Sequence, residues 1–238
     1  MNKGRVLARS CRKAVPRVAK HRQKQVLPRK KRLCDVPKET DLIRPTLMFA
    51  ALSVAACVPR ELPELANILL QSDLPTMRWD HRPEAKEWTK RSLAALARHD
   101  DVLASRVPGD IKHWCPRYET ASLPERRAFW AGLLSAVAKY ESTWNPRASG
   151  GGGRHIGLMQ ISPGSAENHG CTARSPEALK DGSANLECAV EMLAFQVSRD
   201  KVVAGKGNRG IGRDWMPLRK SAKRAEIASW TSSQSYCQ

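Results

Sequence analysis

A long apolar segment between residues 122 and 146 constrains the fold more than any other part of this sequence. Ser122 is followed three residues later by Glu125, the pattern of a helix capping box, and Pro124 suits the first helical turn. The pair Asn145-Pro146 predicts where the helix ends. Between these signals lies a broad apolar face at helical spacing, made of Phe129, Trp130, Leu133, Leu134, Val137 and Ala138.

Other helical patterns occur along the chain, separated by proline and glycine. One lies at residues 62–71, a second begins at Pro83, and a third extends from Ala184 to about Asp200. No alternation of apolar and polar residues is long enough to predict a sheet, and the sequence contains no internal repeat. We therefore predict a mainly α fold with a small sheet or none.

The positive charge of the chain is concentrated at one end. The 238 residues carry a formal net charge of +18, and residues 1–56 contain 15 of the Lys and Arg residues but only 3 acidic ones. No aromatic or glycine-rich RNA motif accompanies these charges, so we expect no nucleic-acid partner. Residues 1–46 lack apolar periodicity, which indicates a basic disordered segment or a start codon assigned too early.

A short apolar run, residues 47–57, ends in Ala55-Ala56-Cys57. It is too short to span a bilayer and has the length of the hydrophobic part of a signal peptide. Its ending resembles the lipobox of bacterial lipoproteins, in which the cysteine becomes the lipid-modified first residue after cleavage. The resemblance implies a lipid anchor on Cys57 at the periplasmic face of a bacterial membrane, and Val58 indicates the outer membrane. A buried helix is the alternative interpretation.

Four cysteines remain outside the segment that such processing would remove: Cys115, Cys171, Cys188 and Cys237. An even number in an exported chain indicates disulfides, with three possible pairings. We favour Cys171–Cys188, which closes a local loop, and Cys115–Cys237, which ties residue 115 to the C-terminal end. A zinc site formed with His155 and His169 is the alternative, although the spacing matches no regular zinc-finger pattern.

One carboxylate lies where the long apolar helix is predicted to end. Glu141 follows Val137 by four residues and lies at the edge of the apolar face. Apolar neighbours reduce hydration and a helix C-terminus carries partial negative charge, and both effects raise the pKa of a carboxyl group. A carboxylic acid that stays protonated near neutral pH can donate its proton to a leaving group. Glu141 is therefore a candidate general acid, and a solvent-facing glutamate is the alternative.

Three segments together resemble the catalytic domain of the soluble lytic transglycosylase family, which has a goose-lysozyme-like fold. They are ESTWNP at 141–146, GLMQISP at 157–163 and ANLECAVEML at 184–193, in the order typical of the family. The resemblance covers residues 110–238 and leaves 58–109 as an N-terminal helical region. It implies a monomeric, cofactor-independent enzyme that acts on peptidoglycan glycan strands. Glu141 would cleave the β-1,4 bond between N-acetylmuramic acid and N-acetylglucosamine and release 1,6-anhydromuramyl products.

The same resemblance implies positions that bind substrate. Met159 and Gln160 are expected to face the cleft, and Gln160 has the donor and the acceptor that sugar amides and hydroxyls require. Ser149 is the candidate hydroxyl on the loop after the helix. Asn185 is a further substrate-binding candidate, although its place near the start of a helix also fits a structural role. The glycines at 150–153 would allow a sugar polymer to approach the backbone closely.

The sequence also departs from the family pattern. A Tyr-Asn pair usual in the family is missing, because residues 203–220 contain no tyrosine and Asn208 is the one candidate remnant. Trp215 and Trp230 could stack on sugars, but packing in the core is favoured. Two other functions stay open: a muramidase in which water attacks the sugar, and a non-catalytic lipoprotein that binds peptidoglycan.

Overall fold

The described part of the chain, residues 74–238 of this computed structural model, is mainly helical, as predicted. Its α-helices are α1 (Ala85–Ala97), α2 (Ile111–Trp114), α3 (Leu123–Ser142), α4 (Pro163–Asn168), α5 (Gly182–Asp200) and α6 (Ser221–Ser232). Short 3-10 turns lie at Ala178–Lys180, Gly210–Arg213, Met216–Arg219 and Ser235–Cys237. The predictions for residues 1–46, for 47–57 with Cys57, and for the helical pattern at 62–71 fall outside the described residues.

Helix α3 is the centre of the core, and its first turn has the predicted capping box. The Ser122 hydroxyl accepts a hydrogen bond from the Glu125 backbone N–H, and the Glu125 carboxylate accepts one from the Ser122 N–H at 2.7 Å. Every residue from Ala128 to Ala138 is buried. A helix that is buried on all sides needs neighbours all round, and α1, α6 and the C-terminal turn supply them.

Two left-handed residues end α3 earlier than the Asn-Pro pair predicts. Thr143 has φ 51° and Trp144 has φ 55°, so the helix ends at Ser142. The indole N–H of Trp144 donates to the carbonyl of Ser135 at 2.9 Å and ties the departing chain back to the helix. As a result Glu141 lies in the last turn of α3, where the chain changes direction.

Helix α5 begins two residues before the predicted start at Ala184. Its cap is Asp181, whose carboxylate accepts a hydrogen bond from the Ala184 N–H at 2.8 Å. Aspartate is one of the residue types that N-cap positions favour. Helix α5 packs against α1, which in turn contacts α3.

A two-stranded antiparallel hairpin follows α3. Strand β1 (Ser149–Gly150) pairs with β2 (His155–Ile156), and Gly151, Gly152 and Gly153 between them all have positive φ. Ile156 also pairs with Ile161, so the hairpin leads directly into the segment 157–160. The small sheet thus presents the glycine turn and places the next segment against the core.

The structure contains both favoured disulfides, Cys115–Cys237 and Cys171–Cys188. Because Cys171 and Cys188 bond to each other, the alternative zinc site is wrong. None of the helices in residues 74–238 is long and apolar enough to cross a membrane.

Candidate active site

Glu141 is held at the boundary between the core and the solvent. The residue is partly buried at the end of α3, and its Oε1 atom is buried without a hydrogen-bond partner. A carboxylate oxygen in that position would lose hydration and gain nothing in return, so the protonated form is favoured. Burial accordingly raises the pKa of Glu141 from 4.5 to about 7.

A lysine on α6 opposes this effect. The positive charge of Lys223 favours the carboxylate form and lowers the pKa of Glu141, but less than burial raises it. The Lys223 ammonium lies 4.8 Å from the ring centroid of Tyr140, the residue just before Glu141. Burial therefore favours the neutral form of Glu141, and one nearby cation favours its charged form. The residue changes charge close to neutral pH.

A second carboxylate, Glu226 on α6, accepts hydrogen bonds from other polar groups around this turn. It accepts hydrogen bonds from the Arg78 guanidinium at 2.7 Å, the Lys139 ammonium at 3.1 Å and the Tyr140 hydroxyl at 2.9 Å. The hydrogen bond from Arg78 is the largest of several effects that lower the pKa of Glu226 to about 2. Glu226 is thus ionised and fully engaged, in contrast to Glu141.

The segment Gly157–Gln160 forms a turn that Asn185 holds in place. The Asn185 amide donates to the carbonyls of Ile156 at 3.0 Å and Leu179 at 2.9 Å, and its oxygen accepts from the Met159 N–H at 2.9 Å. Asn185 is completely buried, so direct binding of substrate by its side chain is wrong and its structural role is the correct one. The indole of Trp215 completes the support by donating to the Met159 carbonyl at 3.0 Å.

Met159 and Gln160 have different positions in this turn. Met159 is completely buried, so the expectation that it faces the cleft is wrong; consecutive residues of a turn do not alternate as in a strand. Gln160 is partly exposed, with φ 49°, and its amide donates to the carbonyls of Gly157 at 2.9 Å and Ala148 at 3.3 Å. Its side-chain oxygen lies beside Gly150, and the neighbouring Ser149 is exposed on β1.

Two cavities differ in their relation to Glu141. A cleft of about 560 Å³ borders Pro146 and Arg147, just after the helix end, and includes Trp88 among its lining residues. An apolar groove of about 420 Å³ lies at the first turn of α3, beside Pro124. Glu141 follows Pro124 by 17 residues of helix, or about 26 Å. Glu141 does not line either cavity, and Pro146, at the edge of the first cleft, follows it by five residues in the sequence.

Sequence reasoning missed the residues from distant parts of the chain that lie around the last turn of α3. Lys223, Glu226 and Arg78 lie on elements that reach this turn only through folding, and no local pattern marks them. For Trp215 the favoured core position is confirmed, since the residue is 2% exposed. Trp230 is partly buried and packs against the core with Arg78 over its ring. Asn208 is exposed.

Comparison with known proteins adds two similarities. The family model for the transglycosylase SLT domain matches residues 122–226. The structure is also similar to solved structures of Bd0314 DslA. The wild-type form has a TM-score of 0.63 and 30% identity, and the match covers 70% of this chain and 100% of that chain. Two variants with a glutamate changed to glutamine match with TM-scores of 0.63 and 0.62 at 30% and 29% identity. No curated protein sequence matches significantly.

Proposed function

Because this chain belongs to the transglycosylase SLT-domain family, we propose that it cleaves the β-1,4 bond between N-acetylmuramic acid and N-acetylglucosamine with Glu141 as the single catalytic acid and base. The family acts on peptidoglycan glycan strands as a lytic transglycosylase. The choice of bond, the assignment of Glu141 and the 1,6-anhydromuramyl products are the proposal. We further propose that the enzyme works as a monomer.

The observation that carries the proposal is the buried, unpartnered Oε1 atom of Glu141. With a pKa of about 7, this carboxyl group is protonated in a substantial fraction of molecules at neutral pH. A general acid works best when its pKa lies near the working pH. An ordinary exposed glutamate would be almost fully ionised and could not donate a proton.

The reaction uses the same carboxyl group twice. Glu141 donates its proton to the glycosidic oxygen as the bond from that oxygen to C1 of muramic acid breaks, and the N-acetylglucosamine end leaves as an alcohol. The resulting carboxylate then accepts the proton of the muramic acid 6-hydroxyl as its oxygen bonds to C1. The substrate's acetamido group stabilises the positive charge at C1 between these steps. One proton leaves Glu141 and one returns to it, so no water is consumed and Glu141 is protonated again.

The state of Glu226 supports a mechanism with one carboxylate. Retaining and inverting glycosidases use a second carboxyl group as nucleophile or base. Glu226 accepts hydrogen bonds from Arg78, Lys139 and Tyr140, so its oxygens are already occupied and its basicity is low. This carboxylate suits a role in holding the helix end rather than in attacking the sugar.

Product analysis with purified protein and peptidoglycan sacculi tests the proposal. We expect the wild type to release muropeptides with 1,6-anhydro ends, which are lighter than the hydrolysed products by one water. Glu141→Gln should release none while the sacculi still bind the protein. Reducing muramic acid ends from the wild type would establish a muramidase instead. Release of no muropeptides by the wild type would favour a binding protein.

We also propose that the protein acts outside the cytoplasm, attached through a lipid on Cys57 to the periplasmic side of the outer membrane. The two disulfides support an oxidising compartment, since such bonds are rare in the cytosol. Intact mass measurement of the protein extracted from membranes tests this. A chain that begins with lipid-modified Cys57 is expected, and a chain that keeps residues 1–56 would contradict it.

A further inference from the structure

Helix α6 contacts the last turn of α3 through two side chains one turn apart. The Lys223 ammonium lies 4.8 Å from the centroid of the Tyr140 ring, and Glu226 accepts the Tyr140 hydroxyl hydrogen bond at 2.9 Å. Helix α6 therefore contacts both the ring face and the hydroxyl of Tyr140, which directly precedes the candidate acid Glu141. Neither Lys223 nor Glu226 belongs to the three sequence segments that predicted the site.

The charged groups around the last turn of α3, which holds Glu141, come from three elements. Arg78 approaches from the segment before α1, Lys139 from α3, and Lys223 and Glu226 from α6. Arg78 and Lys139 both direct their cationic groups at Glu226, with contacts of 2.7 and 3.1 Å. Lys223 is exposed and rests on the Tyr140 ring. The Lys139 ammonium also lies 5.2 Å from the centroid of this ring, but it is paired with Glu226. Of the cations described around this turn, Lys223 is the one that acts on Glu141.

We propose that Lys223 is a positioning residue that stabilises the carboxylate of Glu141 between its two proton transfers. The inference rests on the proposed function, in which Glu141 first donates and then accepts a proton. After the first transfer the carboxylate is left with an Oε1 atom that has no hydrogen-bond partner. An ammonium on a flexible stem at the solvent edge can move toward that charge, and a partly dry site screens the attraction less than water does.

The position of the Lys223 ammonium over the Tyr140 ring explains how Glu141 can stay protonated near neutral pH. An ammonium in direct contact with Glu141 would favour ionisation at neutral pH and remove the proton that the first step needs. Attraction between a cation and the face of Tyr140 holds the ammonium nearby without such contact. The lysine thus acts weakly on the neutral acid and strongly on the carboxylate that forms during the reaction.

The test replaces Lys223 and a matched lysine. Lys220 is an exposed lysine at the start of the same helix, three residues before Lys223, so Lys220→Met is the control for Lys223→Met. The rate of muropeptide release is measured against pH for both variants. The Glu141 carboxyl group is titrated by ¹³C NMR in the same proteins without substrate.

Lys223→Met should lower the maximal rate by roughly tenfold, since an exposed charge contributes less than a buried donor. Loss of a cation disfavours the carboxylate, so the Glu141 titration and the descending alkaline limb of the rate profile should both move to higher pH. Lys223→Arg should restore most of the rate, and Lys220→Met should behave as the wild type. Thermal unfolding should be unchanged in Lys223→Met, because the side chain is exposed.

An unchanged Glu141 titration in Lys223→Met would overturn the proposal, and so would an equal shift in Lys220→Met. Because the titration needs no substrate, it stays informative even when the wild type releases no muropeptides. A wild type that releases no muropeptides would contradict the proposed function but not the coupling between Lys223 and Glu141. A shifted titration with an unchanged maximal rate would reject the catalytic part of the inference.

Discussion

The side-chain oxygen of Asn185 accepts a hydrogen bond from the backbone N–H of Met159 at 2.9 Å. Through this contact, helix α5 determines the shape of the turn that follows the hairpin.

Replacement of Asn185 by alanine should destabilise the fold. Three buried hydrogen bonds disappear, and the Met159 N–H and the carbonyls of Ile156 and Leu179 lose their partner. Unsatisfied buried groups of this kind predict a loss of roughly 3 kcal/mol in the free energy of unfolding. Urea denaturation measures it. Asn208→Ala is the control, because Asn208 is exposed and should change the stability by less than about 0.5 kcal/mol.

Gly157→Ala should also destabilise this turn. Gly157 has φ 79°, and a Cβ there would overlap the Leu179 carbonyl and the Asn185 amide. Backbone strain and the clash together predict a loss of about 2 kcal/mol or more. Gly164→Ala in α4 is the matched control, since a Cβ there meets open space. Equal thermal unfolding temperatures for the two variants would contradict the packing described for Gly157.

The two disulfides should contribute unequally to stability. Cys115 and Cys237 are 122 residues apart, whereas Cys171 and Cys188 are 17 apart. A longer closed loop restricts the unfolded chain more, which predicts about 5 kcal/mol for the first bond and about 3 kcal/mol for the second. Paired cysteine-to-serine variants, compared by chemical denaturation, test this. A larger loss from the pair at 171 and 188 would mean that native contacts, and not chain entropy, decide the outcome.

The ion pairs of Glu226 predict a specific pH dependence. Its pKa is lowered from 4.5 to about 2 in the folded protein, so its stabilising effect is present above pH 4.5 and is lost as the pH falls toward 2. Glu226→Gln should therefore be less stable than the wild type at pH 7, and the difference should shrink at pH 3. The side chain is 37% exposed, so solvent screening limits the effect. A difference that is constant between pH 3 and pH 7 would exclude this charge as its source.

The sequence contained enough information to predict α3, its capping box and the candidate acid. These features depend on short-range rules: a cap three residues from its partner and an apolar face with a helical period. The favoured disulfides were also predicted, because four cysteines allow few pairings. The end of α3 was placed too late because Thr143 and Trp144 adopt left-handed conformations, which neither residue type favours.

The surroundings of Glu141 could not be predicted in the same way. Glu226 is 148 residues from Arg78 in the sequence and 86 from Tyr140, and exposed charged residues on a helix carry no signal of their partners. The burial of Met159 was missed because segment 157–160 is a turn whose shape depends on hydrogen bonds to the distant Asn185. In both cases the deciding contacts are long-range, and only the folded chain brings them together.

The pH titration of the Glu141 carboxyl group, followed by ¹³C NMR on the wild type and assigned with Glu141→Gln, tests the central claim most directly. The account predicts a midpoint of about 7, because burial without a hydrogen-bond partner disfavours the charged form. A midpoint near the ordinary value of 4.5 would show that the carboxylate is hydrated, and would contradict the role of Glu141 as the acid.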